Sequence, residues 1–344
     1  MHICILGATG LVGQETFALC RRAFPSADYT LLASRGREAE IAGEPRRVEA
    51  ASILDGPDAP RGDLAFVALD DEHSKRYVPR LLELGYRVVD KSNTYRMDPN
   101  VVLGVAGVND DLVTDDVRLV ANPNCTTIPV TLALGPLDAA FGLGGFAAAT
   151  YQAISGAGQA TLDAFLAGSG EAYEAPSLLD EGLDPKGYVA NVVPHNGKTD
   201  ASGFSSEERK LMFESRKILR RPELATSAQC CRVPVAVGHY VQLWATFARP
   251  VDPGVAGDVL AKAPFVRFVE GPEGDGLSPL AAVRDRDRAL VGRLRHDPRD
   301  PSGRTLCLTV VADNLRLGAA TNAVRLASRW APSSDPDLAV FGAP

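Results

Sequence analysis

A short apolar run, His2-Ile3-Cys4-Ile5-Leu6, leads directly into Gly7-Ala8-Thr9-Gly10-Leu11-Val12-Gly13, after which Val12, Thr16, Leu19, Cys20 and Ala23 recur at helical spacing. Strand, glycine turn and helix in that order leave the chain few choices. The glycines permit a tight turn and close backbone approach, and the N-terminus of the following helix favours an anionic group such as a pyrophosphate. The segment is a GxxGxxG variant of the dinucleotide turn, with Gly7, Thr9, Gly10, Leu11 and Val12 as its expected cofactor contacts. A tight turn in a ligand-free α/β domain would satisfy the same residues.

Further short apolar runs at residues 29–33, 64–69, 87–89 and 117–120, with a helical stretch at 74–84, continue the alternation. Strands alternating with helices predict a doubly wound parallel sheet, hence an α/β protein. Beyond about residue 125 the texture changes. Runs with strand character at 145–154, 231–237, 240–247 and 305–311 are separated by loops rich in Gly and Pro. Neighbouring long strands predict a mixed or antiparallel sheet and so a second, α+β domain. Residues 318–328 read as a helix able to pack back on the first domain, and the tail from Pro332 is expected to be poorly ordered. A length of 344 residues agrees with two domains.

Charge and composition remove other classes. With 36 basic and 43 acidic residues the chain carries a net charge of −7, without the clustered basic face of a nucleic-acid binder. The longest apolar stretch, residues 132–149, is broken by Pro136, Asp138 and several glycines, so no membrane span is expected. The first residues lack the basic region and cleavage site of a secretory signal. Six cysteines, at 4, 20, 125, 230, 231 and 307, show neither CxxC spacing nor a dense framework. That pattern fits reduced thiols and a cytoplasmic location. No His, Cys and carboxylate cluster has ligand spacing, so no metal is expected.

The end of the second strand discriminates between nicotinamide cofactors, because an acidic residue there binds a ribose 2′-hydroxyl and an arginine accepts a 2′-phosphate. Here Ser34 and Arg35 stand where an aspartate would, which favours NADP over NAD. The alternative is that Arg35 and Arg37 are simply solvated.

Asn122-Pro123-Asn124-Cys125-Thr126-Thr127 follows an apolar strand and opens an apolar, helix-like stretch. A cysteine at a helix N-terminus has its thiolate favoured by the helix dipole and free N–H groups. Most single cysteines are small core residues, but a core cysteine needs no polar frame such as Asn124 and Thr126. In register with these residues lie Tyr151-Gln152-Ala153-Ile154-Ser155-Gly156-Ala157-Gly158, Glu207-Glu208-Arg209-Lys210 and Arg232-Val233-Pro234-Val235-Ala236-Val237-Gly238-His239. Val291-Gly292-Arg293-Leu294-Arg295 and Val311-Ala312-Asp313-Asn314-Leu315 complete the set. From residue 1 to about 330 the chain resembles bacterial aspartate-semialdehyde dehydrogenase.

The resemblance implies a Rossmann-like dinucleotide-binding domain of residues 1–125 plus 314–344 and a catalytic and dimerisation domain of residues 126–313. It implies reduction of L-aspartyl 4-phosphate to L-aspartate 4-semialdehyde, with release of inorganic phosphate, on the route to lysine, methionine and threonine. Cys125 would be the nucleophile that forms a thioester, His239 the general acid/base, and Gln152 the residue orienting the thioester. Arg232 would pair with the substrate carboxylate and Glu207 with its ammonium, Arg96 and Lys210 would hold the phosphate, and Asn124 would line the substrate site. Ser155, Gly156 and Asn314 would run close to the nicotinamide. A homodimer is implied, with a tetramer as the alternative. The roles suit the chemistry: an imidazole relays protons for a thiol, and a guanidinium matches a carboxylate two-pronged. Glu207 and Lys210, three apart, share a helix face, while Ser205 and Glu208 have capping-box spacing. His2, His73, His195 and His296 are expected to be structural, and Arg284-Asp285-Arg286-Asp287-Arg288 to be a solvated, self-compensating loop.

Two segments depart from the family pattern. A loop usually rich in Ser, Ala and Gly is here Ala68-Leu69-Asp70-Asp71-Glu72-His73, whose carboxylates are unfavourable near a cofactor phosphate unless they face away. A common Pro-Glu is replaced by Ala106-Gly107. The competing readings are a paralogue acting on a substituted aspartyl phosphate or another acyl phosphate, such as N-acetylglutamyl phosphate, and a catalytically silent NADP-binding module.

Overall fold

The computed structural model describes residues 1–174, 186–194, 198–271 and 273–340. The chain divides into two compact units, Met1–Asn124 with Gly318–Pro344, and Cys125–Leu317.

The first unit contains β1 (His2–Leu6), α1 (Leu11–Ala23), β2 (Asp28–Ala33), β3 (Arg37–Ile41), β4 (Glu44–Ala50), β5 (Leu64–Val67), α2 (Asp71–Glu83), β6 (Arg87–Asp90), β7 (Val102–Leu103) and β8 (Leu119–Ala121). Among the described residues these form one sheet in the order β3-β4-β2-β1-β5-β6-β8-β7. Every pairing is parallel except β3 with β4. The period-two alternation of β1 shows why its run is apolar throughout. Ile3 and Ile5 enter a core with Phe17 of α1 and Val324 of the C-terminal helix Asn322–Ala327. Cys4 and Leu6 enter the opposite core with Val78 and Leu81 of α2. A strand covered on both faces has no solvent side to mark with polar residues. The chain moves from β1 to β2 on one side and returns to β5 on the other, so the carboxyl ends of β1 and β5 form the switch point where such sheets bind ligands.

The hairpin β3–β4 has no counterpart among the sequence expectations. Its edge strand reads Arg37-Glu38-Ala39-Glu40-Ile41, with mostly exposed side chains, so no apolar run announces it. The tail also differs from expectation. The Ser334 N–H donates to the Ala23 carbonyl, Arg325 donates to the Asp337 carbonyl, and Leu338 and Val340 are buried. Leu338, in one core cluster with Ala23 and Phe24, and Val340, whose N–H donates to Ser328 Oγ, tie down a stretch that its composition reads as loose.

The second unit contains α3 (Thr127–Phe141), β9 (Leu143–Gln152), α4 (Gln159–Glu174), β10 (Val193–Pro194), α5 (Ser206–Ile218), β11 (Ala225–Arg232), β12 (His239–Phe247), α6 (Pro253–Ala261), β13 (Val266–Val269), α7 (Pro279–Ala282), β14 (Ala289–His296) and β15 (Thr305–Ala312). Its sheet, ordered β10-β11-β9-β12-β15-β14-β13, is mixed: β9 with β11 and β13 with β14 are parallel, the rest antiparallel. Helix α3 is apolar almost all round, burying Ile128, Val130, Leu132, Leu134 and Leu137, as a helix enclosed by neighbours should. The opposite face of the sheet is open, with Ala147, Tyr151, Gln229 and Ala225 exposed.

The strand expected at 231–237 lies instead at Ala225–Arg232. Residues 233–236 form a strap along the loop after β9: the Val233 N–H donates to the Gln152 carbonyl, and the Ile154 and Ser155 N–H groups donate to the Val235 and Ala236 carbonyls. Pro234 has no N–H to continue a ladder. The true strand, Ala225-Thr226-Ser227-Ala228-Gln229-Cys230-Cys231-Arg232, hides behind small and polar residues on its open face.

Candidate active site

In the first unit, a Cβ at Gly7 (φ +80°) would collide with the Ala68 carbonyl oxygen, and one at Gly13 with the Gly7 carbonyl. The turn therefore needs both glycines for packing alone. Helix α1 follows with Gly10 at its N-cap and no side-chain cap, which leaves its first N–H groups open. Thr9 and Leu11–Val12 belong to this turn and the helix start, and the Thr9 carbonyl accepts from Gln14 Nε2 at 3.2 Å. Ser34 and Arg35 follow β2 and are exposed, and among the described residues no hydrogen bond or ion pair engages the Arg35 side chain.

The acidic loop is occupied by its own structure. Asp70 caps α2, accepting the His73 N–H at 3.0 Å, and lies 2.9 Å from His73 Nδ1; these bonds hold its carboxyl below the usual range. Asp71 accepts the Asn93 N–H at 2.7 Å. At the second departure, the Ala106 N–H donates to Asn322 Oδ1 and the Gly107 N–H to Asp110 Oδ1, so both amides are satisfied by local repacking. Arg96 is buried and donates through Nη2 to the Lys91 carbonyl at 2.6 Å. Asn124 is buried at the end of this unit. Asp90, fully buried, accepts from the Ser74 and Ser92 hydroxyls, and burial pushes its carboxyl up.

The second unit opens with Cys125, one residue before Thr126, the N-cap of α3, whose first turn again carries no side-chain cap. Environment separates the six thiols. Cys4, Cys20, Cys230 and Cys307 are buried. Burial pushes all four thiols and that of Cys231 up, Cys230 to about 12. Cys125 is partly exposed, and its Sγ lies 3.3 Å from Nε2 of His239, a buried residue at the start of β12. The Ala153 N–H donates to His239 Nδ1 at 3.0 Å. A backbone amide can only donate, so the neutral ring carries its proton on Nε2, facing the sulfur.

Arg232 ends β11 opposite Gln152, which ends β9. Both are buried; Arg232 Nη1 donates to the Ala153 carbonyl at 2.5 Å, and Gln152 Nε2 reaches Thr150 Oγ1 at 3.4 Å. A Cβ at Gly156 would sit 2.8 Å from Arg232 Nη1 and 3.4 Å from His239 Nε2, so guanidinium and imidazole converge over this glycine. Ser155 and Asn314 hydrogen-bond each other, Asn314 Nδ2 donating to Ser155 Oγ at 2.9 Å. On the first turn of α5, Lys210 Nζ meets Glu207 Oε1 at 2.6 Å. The capping box of Ser205 and Glu208 is formed, and Glu208 also accepts the Cys230 N–H.

The structure thus brings Cys125, His239, Arg232 and Gly156 together, and separately pairs Glu207 with Lys210. The run at 284–288 is not the expected solvated loop. Arg288 does pair with Asp285 inside the run, but Arg286 Nε meets the fully buried Asp313 at 2.7 Å and Asp287 meets Arg316 at 2.7 Å. Sequence spacing carries no sign of partners so distant. Ala153, which works through its backbone, has no side-chain signature at all. His2 bridges the Arg61 carbonyl and Thr30, His73 pairs with Asp70, and His296 meets the Val251 carbonyl; His195 lies outside the described residues. Among the described residues no group of His, Cys, Asp and Glu is placed to hold a metal ion, and no helix is long and apolar enough to cross a membrane.

A largely parallel sheet with a glycine turn and an open helix start defines a dinucleotide-binding α/β protein, and its second unit carries a thiol–imidazole pair on a mixed sheet. The family models described as "Semialdehyde dehydrogenase, NAD binding domain" and "Semialdehyde dehydrogenase, dimerisation domain" match residues 2–115 and 134–317. Aspartate-semialdehyde dehydrogenase from Mycolicibacterium smegmatis is 38% identical, covering 95% of this chain and 98% of its own. The Aquifex aeolicus enzyme is 33% identical, covering 95% and 96%. The crystal structure of aspartate semialdehyde dehydrogenase II from Vibrio cholerae superposes with a TM-score of 0.84 at 30% identity, covering 95% of this chain and 97% of that one. A second structure of that protein, complexed with ASA, gives 0.83. The chain belongs to the aspartate-semialdehyde dehydrogenase family.

Proposed function

We propose that this enzyme reduces L-aspartyl 4-phosphate to L-aspartate 4-semialdehyde with NADPH, releasing inorganic phosphate, and runs reversibly through a thioester on Cys125. The carrying observation is the 3.3 Å contact between Cys125 Sγ and His239 Nε2 at the uncapped start of α3. There a thiolate receives an N–H from the imidazole and the favourable end of the helix dipole. Its sulfur attacks the acyl carbon, a C–S bond forms, and the C–O bond to phosphate breaks. Bound NADPH supplies the hydride that reduces the thioester carbonyl. His239, holding its proton on the nitrogen that faces the sulfur, hydrogen-bonds the resulting oxyanion, which collapses to aldehyde and a thiolate that the same N–H stabilises.

Arg232 offers a planar guanidinium beside this pair for the substrate α-carboxylate. Glu207 would receive the α-ammonium and Lys210, with Arg96, the phosphate; Gln152 would orient the thioester and Asn124 line the site. A substrate with a blocked amine, as in N-acetylglutamyl phosphate, would have no use for Glu207. The glycine turn and the open N-terminus of α1 fit a pyrophosphate, and the unengaged Arg35 fits a 2′-phosphate; Ser155, Gly156 and Asn314 would lie toward the nicotinamide. NADP is favoured because Asp70 and Asp71 spend their carboxylates on α2 and Asn93 rather than on the cofactor loop. The open face of the second sheet, with Tyr151 exposed, supports a homodimer formed by pairing that face with its copy.

The test is phosphate-dependent reduction of NADP by L-aspartate 4-semialdehyde, run beside NAD. Activity that vanishes without phosphate supports acyl-phosphate chemistry on this substrate. Binding of NADP without turnover would point instead to a specialised paralogue or a silent module.

A further inference from the structure

Asn314, just after β15, is buried with its carboxamide turned inward. Its Nδ2 donates to Ser155 Oγ at 2.9 Å, and its Oδ1 accepts the Gly238 N–H at 2.9 Å. Ser155 lies two residues beyond Ala153, whose N–H ends on His239 Nδ1, and Gly238 immediately precedes His239. One side chain therefore ties the backbone that presents the amide donor to the backbone that presents its imidazole acceptor. The residues around Asn314 are fastened in turn. Asp313 Oδ1 accepts the Leu315 and Arg316 N–H groups, and Asp313 Oδ2 meets Arg286 Nε. Arg316 pairs with Asp287, and the Leu317 N–H donates to the Arg286 carbonyl.

We propose that Asn314 is a positioning residue that staples the Ala153 amide to His239, with the Arg286–Asp313 and Asp287–Arg316 pairs as its brace. The staple keeps the imidazole in the tautomer that donates from Nε2 to Cys125. When the amide drifts from Nδ1, the ring is free to carry a proton there; Nε2 then becomes an acceptor for the thiol proton, and the fixed Nε2 donor facing the sulfur is lost. This role deepens the thiol–imidazole reading of the reaction and rests on it. It requires neither cofactor nor substrate, because every contact lies within residues 153–317.

The experiment compares the full-length wild type with Asn314→Ala and Asn314→Asp. The rate at which iodoacetamide alkylates Cys125 at pH 7, without substrate or cofactor, is read by mass spectrometry of the Cys125 peptide. It should change at least about tenfold in Asn314→Ala, as the thiol and imidazole ionise differently once Nδ1 is released, and return to within about threefold of wild type in Asn314→Asp, whose carboxylate accepts from both Gly238 and Ser155. In turnover with L-aspartate 4-semialdehyde and phosphate, Asn314→Ala should lose about 100-fold in kcat while its KM for NADP stays within about threefold. Unchanged alkylation overturns the proposal, as does a loss confined to KM for NADP, which would make Asn314 a cofactor contact only. Should Asn314→Ala not fold, Ser155→Ala cuts one arm of the staple: alkylation changed at least about threefold supports the proposal, and an unchanged rate overturns it. A wild type without turnover would refute the reaction reading, yet the alkylation rates would still decide the staple.

Discussion

Gly156→Ala tests the convergence of Arg232 and His239 with one methyl group. The added Cβ would lie 2.8 Å from Arg232 Nη1, where ordinary contact begins at about 3.4 Å, so the guanidinium must retreat by about 0.6 Å. Nη1 is the atom that makes the 2.5 Å bond to the Ala153 carbonyl, so its retreat disturbs that bond, and Ala153 is the residue that holds His239. Misplacement on the order of 1 Å costs a catalytic group about 100-fold. The expected loss in kcat/KM for L-aspartate 4-semialdehyde is therefore about 30- to 100-fold, equivalent to about 2–3 kcal/mol of transition-state stabilisation. Stability should fall modestly, by about 1–2 kcal/mol, because a buried guanidinium loses part of its hydrogen bonding. Gly156 is exposed and its φ is not positive, so alanine strains nothing in the backbone itself, and Tm should fall by about 2–5 °C. Steady-state kinetics beside differential scanning fluorimetry gives both numbers. Wild-type kcat/KM would refute the reasoning, and so would a defect seen only as a raised KM for NADP.

Replacing Cys125 with Ser should abolish turnover and leave NADP affinity within about twofold by fluorescence titration; retained activity would remove the nucleophile assignment. Arg35→Ala should raise KM for NADP about tenfold and leave that for NAD unaltered, since only a 2′-phosphate uses the guanidinium. An equal effect on both cofactors would make Arg35 a solvated bystander. Asp70→Ala removes the α2 cap and should cost about 1 kcal/mol at pH 7. The His73 N–H holds the Asp70 carboxyl below its usual range, so this contribution is complete above the unfolded value of about 4 and fades as pH falls through the depressed folded one. Thermal unfolding of the two proteins should differ at pH 7 and converge at strongly acid pH, with KM for NADP unchanged throughout.

The legible elements are those with their signal in neighbouring residues. Residues 3–6 of β1 and all of β5 stand out because strands covered on both faces are apolar at every step, and the turn between β1 and α1 because its glycines lie within seven residues of one another. Hairpin β3–β4 and strand β11 are illegible for the converse reason. Their exposed positions carry charged or small polar residues, and the apolar run 233–236 beside β11 mimics a strand that Pro234 forbids. The neighbourhood of Cys125 is likewise local, two asparagines before it and a helix start after it. His239, 114 residues away, enters the sequence reading through family resemblance alone, because spacing says nothing about distance in space.

From sequence alone come the two kinds of sheet, the dinucleotide turn, the family, and Cys125 as the thiol to examine. Tertiary structure decides what surrounds that thiol. The imidazole tautomer depends on an amide 86 residues before His239, and the carboxamide that holds this arrangement lies 159 residues beyond Ser155. Arg286 and Asp287 cease to be a solvated charge run only when β15 delivers Asp313 and Arg316 to them. The physical reason is common to all three. Hydrogen bonds and ion pairs are made by atoms within about 3 Å of each other, many of them backbone atoms that every residue possesses, and only the folded chain determines which of them meet.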